Sequence, residues 1–196
     1  MRRPKPAPGS PNTRDQILDA AQRVAAKRGA GHVTLDAVAQ ESGLSKGGVL
    51  YHFPNKDALI NGMLERLLAQ NTAAQERAIK TLDGPVHRTL RSILTARQAE
   101  HRDLNPDVAM AVLAAAAEKP QLLDPMRAHI RQRYAQLAAE DQARQAPQQD
   151  LDLVLLMLAA ADGLLFQDLL ALSPLTPDHK ERLNRRLLEL TEELLS

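Results

Sequence analysis

The stretch from Ser42 to Lys56, SGLSKGGVLYHFPNK, brings two serines, two lysines, a tyrosine and a histidine close together. Gly43-Leu44-Ser45-Lys46-Gly47 fits G-x-S-x-G, the pattern in which a serine on a strained strand-to-helix turn attacks a carbonyl. The same residues fit a second chemistry. There Ser45 caps a short helix, and Lys46, Tyr51 and His52 offer a cation and polar hydrogens to a phosphate backbone. The elements around the stretch decide between the two.

A nucleophilic serine needs a strand before it, and the preceding residues read as helix. Thr34 can cap a short helix holding Leu35, Val38 and Ala39 that ends at Ser42-Gly43. Ser45 can then cap a third helix of about seven residues, closed by Pro54. Asn55 can cap a long fourth helix, with Asp57 in its first turn and Leu59, Ile60, Met63, Leu64, Leu67 and Leu68 inward. With no strand to build a sheet, the nucleophile reading is set aside and Ser45 is read as a cap. No catalytic residue and no enzyme activity is expected.

Two short helices joined by a glycine-containing turn are a helix-turn-helix signature, whose second helix enters the DNA major groove by its N-terminal residues. Gly47 and Gly48 each cost that helix roughly 1 kcal/mol relative to alanine. Their bareness lets the backbone approach base edges or phosphates. Lys56, at the start of the fourth helix, adds charge where free N–H groups already attract phosphate.

The rest of the chain is helical in pattern. Residues 1–12, rich in proline and carrying Arg2, Arg3 and Lys5, read as a disordered basic arm that can reach an adjacent minor groove or stay solvated. Thr13-Arg14-Asp15-Gln16 has capping-box form and opens the first helix, which Gly29 and Gly31 stop. Proline and glycine breaks divide the remainder into helices at about 86–100, 106–118, 121–144, 148–171 and 177–195. The expected fold is all-α, about nine helices. A helix-turn-helix DNA-binding domain over 13–56 precedes a helical ligand-binding and dimerisation domain over 57–196.

Charge follows this division: residues 1–60 carry nine Lys/Arg against five Asp/Glu, a balance of +4, within a chain of net +1. A basic front end suits a polyanion. There is no cysteine, which excludes disulfides and thiolate metal sites and fits a reducing cytoplasm. The most apolar run, Leu153 to Ala161, is only nine residues, far short of the roughly 20 of a membrane span. The histidines lack ligand spacing, so no metal and no cofactor is expected.

Gly31-x-x-Thr34-Leu35-x-x-Val38-Ala39-x-x-x-Gly43-Leu44-Ser45-Lys46-Gly47, followed by Tyr51-His52-Phe53-Pro54-Asn55-Lys56-x-x-Leu59, resembles the DNA-binding end of TetR-type (tetracycline-repressor-like) bacterial regulators. The resemblance covers about residues 13–60; beyond them it extends to helix number and lengths. It implies a homodimeric repressor with a ligand-responsive body. In that frame Thr34, Lys46, Tyr51, His52 and Lys56 contact phosphates, while Ser45, Gly47 and Gly48 lie at or near bases. Leu50 stands where many such proteins carry an aromatic residue, so it is expected to be buried. Phe53 is expected to pack against the first helix.

In the rear, the helix from Leu151 is apolar nearly all round and must be covered on two sides. Leu183, Leu187, Leu190 and Leu194 form a seam on the last helix. Leu155, Leu158, Leu165 and Leu169 with those four are the expected dimer contacts, in a four-helix interface about a two-fold axis. Met110, Leu113, Met126, Ile130, Tyr134 and Phe166 are the expected lining of an aliphatic cavity for a small lipophilic effector. The full reading is a dimer released from a palindromic double-stranded DNA operator by that effector, with no membrane role. A helical protein–protein adaptor without DNA binding is the alternative class, and a Ser45 hydrolase the more distant one.

Overall fold

The structure, a computed structural model, describes residues 12–84, 87–100, 106–144 and 148–194, with backbone alone at 98–100, 144, 148–150 and 194. The expected basic arm with Arg2, Arg3 and Lys5 lies outside the described residues. Nine α-helices and no strand are present among them. They are α1 (Thr13–Arg28), α2 (Leu35–Ser42), α3 (Lys46–His52), α4 (Lys56–Ile79), α5 (Arg88–Glu100), α6 (Pro106–Glu118), α7 (Asp124–Arg144), α8 (Gln148–Leu169) and α9 (Pro177–Leu194).

Local chemistry explains most of these limits. The first helix is capped by Asn12, not by Thr13: the Asn12 side chain accepts hydrogen bonds from Arg14 N at 2.6 Å and Asp15 N at 3.2 Å. The two are neighbouring cap-type residues, and the chain uses the earlier one. Gly29, at φ 86, ends that helix. A 3-10 turn over Pro120–Leu123 precedes α7, which therefore starts at Asp124.

Helices group into two compact units, Met1–Glu65 with Asp107–Leu123, and Arg66–Pro106 with Asp124–Ser196. The first half of α4 and most of α6 thus go with the head. Its core is built from Ile17, Leu18, Ala21 and Val24 of α1, Val38 of α2, Val49 of α3, and Leu59, Ile60, Met63 and Leu64 of α4, all nearly inaccessible to water. A fully buried side chain of this size contributes about 1.5–3 kcal/mol. Glu41 ties α2 to α1 by accepting from Arg23 Nε and Lys27 Nζ, each at 2.9 Å.

In the second unit Leu90, Ile93 and Leu94 of α5 pack with Leu137 of α7 and with Val154, Met157, Leu158 and Ala161 of α8. Leu153, Leu155, Leu187, Leu188 and Leu190 close over this cluster. Ala74 and Ala78 of α4 meet Ala96 of α5, small side chains that let the two helices approach.

Candidate nucleic-acid interface

The turn between α2 and α3 is made by three residues. Gly43 takes a left-handed conformation (φ 69, ψ 14) that a side chain would strain, and it ends α2. Ser45 is extended and its Oγ accepts from Gly48 N at 3.2 Å. Thr34 does the same for α2, its Oγ1 accepting from Ala37 N at 3.2 Å. Ser45 is therefore a cap in a helix-to-helix turn, which is not the geometry of a nucleophile elbow.

α3 has two faces. Val49 and Phe53, four residues apart, point into the head and are buried. Leu50 is half-buried, covered less than expected. On the other side Tyr51 is 85% exposed, its ring standing edge-on to that of His52 with centroids 5.1 Å apart. A methyl group on Gly47 would meet nothing within 4 Å, so internal packing does not demand a glycine there. One on Gly48 would come within 3.4 Å of Ser45 Oγ, the cap itself.

Lys46 is exposed, and its Nζ lies 2.9 Å from Asp36 Oδ1 on the first turn of α2. Lys56 is exposed at the start of α4, where the Asn55 side chain accepts from Ala58 N at 2.8 Å. Beside it Asp57 receives Lys119 Nζ at 2.6 Å, from the residue that follows α6. All eight residues expected at DNA lie in the same unit: Ser45, Lys46, Gly47, Gly48, Tyr51 and His52 at the cap and along α3, Thr34 and Lys56 at the starts of the helices on either side.

Sequence reasoning missed three residues of this surface: Gly62, Arg14 and Asp36. Gly62 sits inside α4 because a methyl there would come within 2.6 Å of Phe53 Cε1; its absence makes a notch for the ring. Arg14 covers that ring, its Cζ 5.3 Å from the centroid, while Nη2 pairs with Glu65 at 3.2 Å. A glycine inside an apolar helix was the signal for the first. Asp36 gave none, since its distance to Lys46 is set by the turn.

The residues expected in a dimer contact divide. Leu158 is fully buried in the chain's own core and is not available to a partner; Leu156, two residues earlier, is 67% exposed instead. Leu155, Leu187 and Leu190 lie partly over the same core, Leu165 and Leu169 are half-buried, and Leu183 is 41% exposed. The Leu194 side chain lies outside the described residues.

A crevice of about 540 Å³ opens in the second unit. His129, Gln132, Arg133, Gln136 and Glu140 of α7 line it, facing Thr72, Gln75 and Glu76 of α4, with Thr89 of α5 at one end. None of the six expected lining residues is among these. Met110 and Leu113 belong to the first unit. Ile130 and Tyr134 each fall one residue past the crevice-facing stripe, about 100° around the helix, and are 43% and 40% exposed. Met126 is half-buried and Phe166 is 53% exposed. Ile79, Ala139 and Ala143 complete a lining of mixed character, where an aliphatic one was expected. Among the described residues no three metal-ligating side chains cluster, and no helix is long and apolar enough to cross a membrane.

A helix-turn-helix with both helices capped and one face of α3 open, in a fold whose described residues form helices and no strand, is the arrangement of a DNA-binding regulator. Residues 17–63 match the family described as "Bacterial regulatory proteins, tetR family", and residues 87–192 match "Tetracyclin repressor-like, C-terminal domain". The chain belongs to the TetR family of bacterial transcriptional regulators; it is a DNA-binding protein and not an enzyme.

It is 40% identical over 55 residues to the HTH-type transcriptional regulator TtgR of Pseudomonas putida, a match spanning 28% of this chain and only 26% of that protein's length. Against the HTH-type transcriptional regulator BetI of Burkholderia thailandensis the identity is 26% over 163 residues, 82% of this chain and 84% of that one. A putative transcriptional regulator from Saccharomonospora viridis, solved in complex with choline, superposes with a TM-score of 0.69 at 26% identity, covering 90% of this chain and 95% of that one.

Proposed function

We propose that this protein is a homodimeric repressor that sits on a palindromic operator and is released by a small molecule bound in its second unit. The observation that carries the DNA-facing part is the open face of α3, where Lys46, bare Gly47 and Tyr51 stand clear of the head's own packing. In this reading Thr34, Lys46, Tyr51, His52 and Lys56 hold phosphates, and Ser45, Gly47 and Gly48 lie against base edges.

One short helix reads only a few base pairs. Two copies about 34–36 Å apart on successive major grooves reach a useful affinity. Exposed Leu156, Phe166, Leu172 and Leu183 on and beside α8 and α9 supply apolar surface for a partner copy. Release follows from linkage: an effector that binds better to a dimer with wrongly spaced heads lowers operator affinity by the same factor. The choline-bound relative supports a small-molecule effector in principle.

Selection of bound sequences from a random duplex pool tests the reading. A palindrome with half-sites about one helical turn apart is the expected result. A monomer that enriches no duplex sequence returns the adaptor reading.

A further inference from the structure

An unbalanced charge lies beside the crevice in the second unit, and Arg133 is the member of it that lines the crevice. Arg97 of α5 pairs closely with Asp162 of α8, and Arg133 of α7 reaches the same carboxylate oxygen at 3.9 Å. Two guanidiniums, each about 85% buried, thus share one acid. Arg97 Nη1 and Arg133 Nε are buried N–H groups with no acceptor among the described residues. A surplus buried cation is costly unless a counter-charge arrives.

We propose that the crevice takes the carboxylate of a small polar molecule, seated on Arg133 and the ring of His129. This rests on the reading of the second unit as the effector-receiving body and names the effector's chemistry. Arg133 Nη2 donates to His129 Nε2 at 3.1 Å, which leaves the ring proton on Nδ1 as a further donor. Burial, then the Arg133 charge, holds His129 below its ordinary pKa, which favours the uncharged ring. His129 and Arg133 are one turn apart on one face of α7, with Gln132 and Gln136 beside them to hydrogen-bond the rest of the molecule.

The acids that line the crevice, Glu76 and Glu140, form no ion pair with Arg97 or Arg133 among the described residues. Glu140 is engaged by Thr89, accepting from its N at 3.1 Å and its Oγ1 at 2.7 Å. Glu76 is exposed on α4. The recognised charge is opposite in sign to that of choline.

Calorimetric titration of the full chain with sodium succinate, succinamide and choline chloride, at ionic strength fixed with sodium chloride, tests the inference. Succinate is expected to bind saturably, one per chain, with R133Q losing at least about tenfold. Ligand-free R133Q is expected to melt about 2–4 °C higher, because the surplus charge is gone while Asp162 keeps Arg97. If R133Q does not fold, H129Q serves for the binding comparison.

Absence of saturable succinate binding, equal binding by the variant, or binding of succinamide or choline in its place overturns the proposal. A lower melting temperature for folded R133Q does so too, since it marks a balanced structural network. Duplex binding by the wild-type chain without succinate is read separately: its presence with no succinate binding sinks this inference alone.

Discussion

Lys46 Nζ and Asp36 Oδ1 are 2.9 Å apart on the exposed surface of the head, so the lysine best placed for a phosphate is held by an acid of the preceding helix. An exposed pair of this kind is worth at most about 1 kcal/mol, and a phosphate contact that also releases counterions outcompetes it. Asp36→Asn is therefore expected to tighten duplex binding by up to about 5-fold. Lys46→Ala is expected to weaken it and to lower the salt slope by about 1 per lost contact. Fluorescence anisotropy across a salt series checks both, and weaker binding by D36N counts against this placement of α3.

Two glycines are expected to respond in opposite ways. Gly47→Ala meets no neighbour, so stability holds or rises by about 0.5–1 kcal/mol while duplex affinity falls. Gly62→Ala drives a methyl into Phe53 and costs about 1–3 kcal/mol. Urea unfolding with an anisotropy assay separates the two roles; a G47A protein that binds DNA normally would show that the bare backbone is not used.

Leu158→Ala empties a fully enclosed position and is expected to cost about 2–5 kcal/mol. Leu156→Ala, at an exposed site, leaves chain stability within about 0.5 kcal/mol and weakens self-association if α8 faces a partner copy. Sedimentation at several concentrations reads the second effect. Unchanged association in L156A moves the contact off that face of α8.

Glu41 is held below its ordinary value of 4.5, first by the hydrogen bond from Lys27 and then by that from Arg23. An acid depressed in the folded state adds stability that is present above the unfolded value and lost as pH falls through the folded one. Glu41→Gln should thus be less stable than wild type near neutral pH, with the gap closing below about pH 4.5. A gap that stays constant on acidification would assign the loss to packing.

Much of the head was legible because its determinants are local. Thr34, Ser45 and Asn55 each sit directly before the helix they cap, and the limits of α2 and α3 follow from the residue types. What depends on helix crossing was not legible: Phe53 in the Gly62 notch, and the Lys46–Asp36 pair. In α8 the leucines run nearly all round, so no period separates enclosed Leu158 from open Leu156. On α7 the apolar Ile130 and Tyr134 fit the expectation of an apolar cavity, yet the stripe that faces the crevice is the polar one beside them.

The separation of α3 into an anchored side and a free side has an evolutionary consequence. Val49 and Phe53 hold the segment to the head, while Gly47 and Tyr51 stand clear of that anchorage and Lys46 adds only an exposed ion pair to Asp36. Retargeting through Lys46, Gly47 and Tyr51 then leaves folding intact, whereas changes at Ser45 or Gly48 also disturb the cap of α3, so descendants of this chain diverge most readily at the first three.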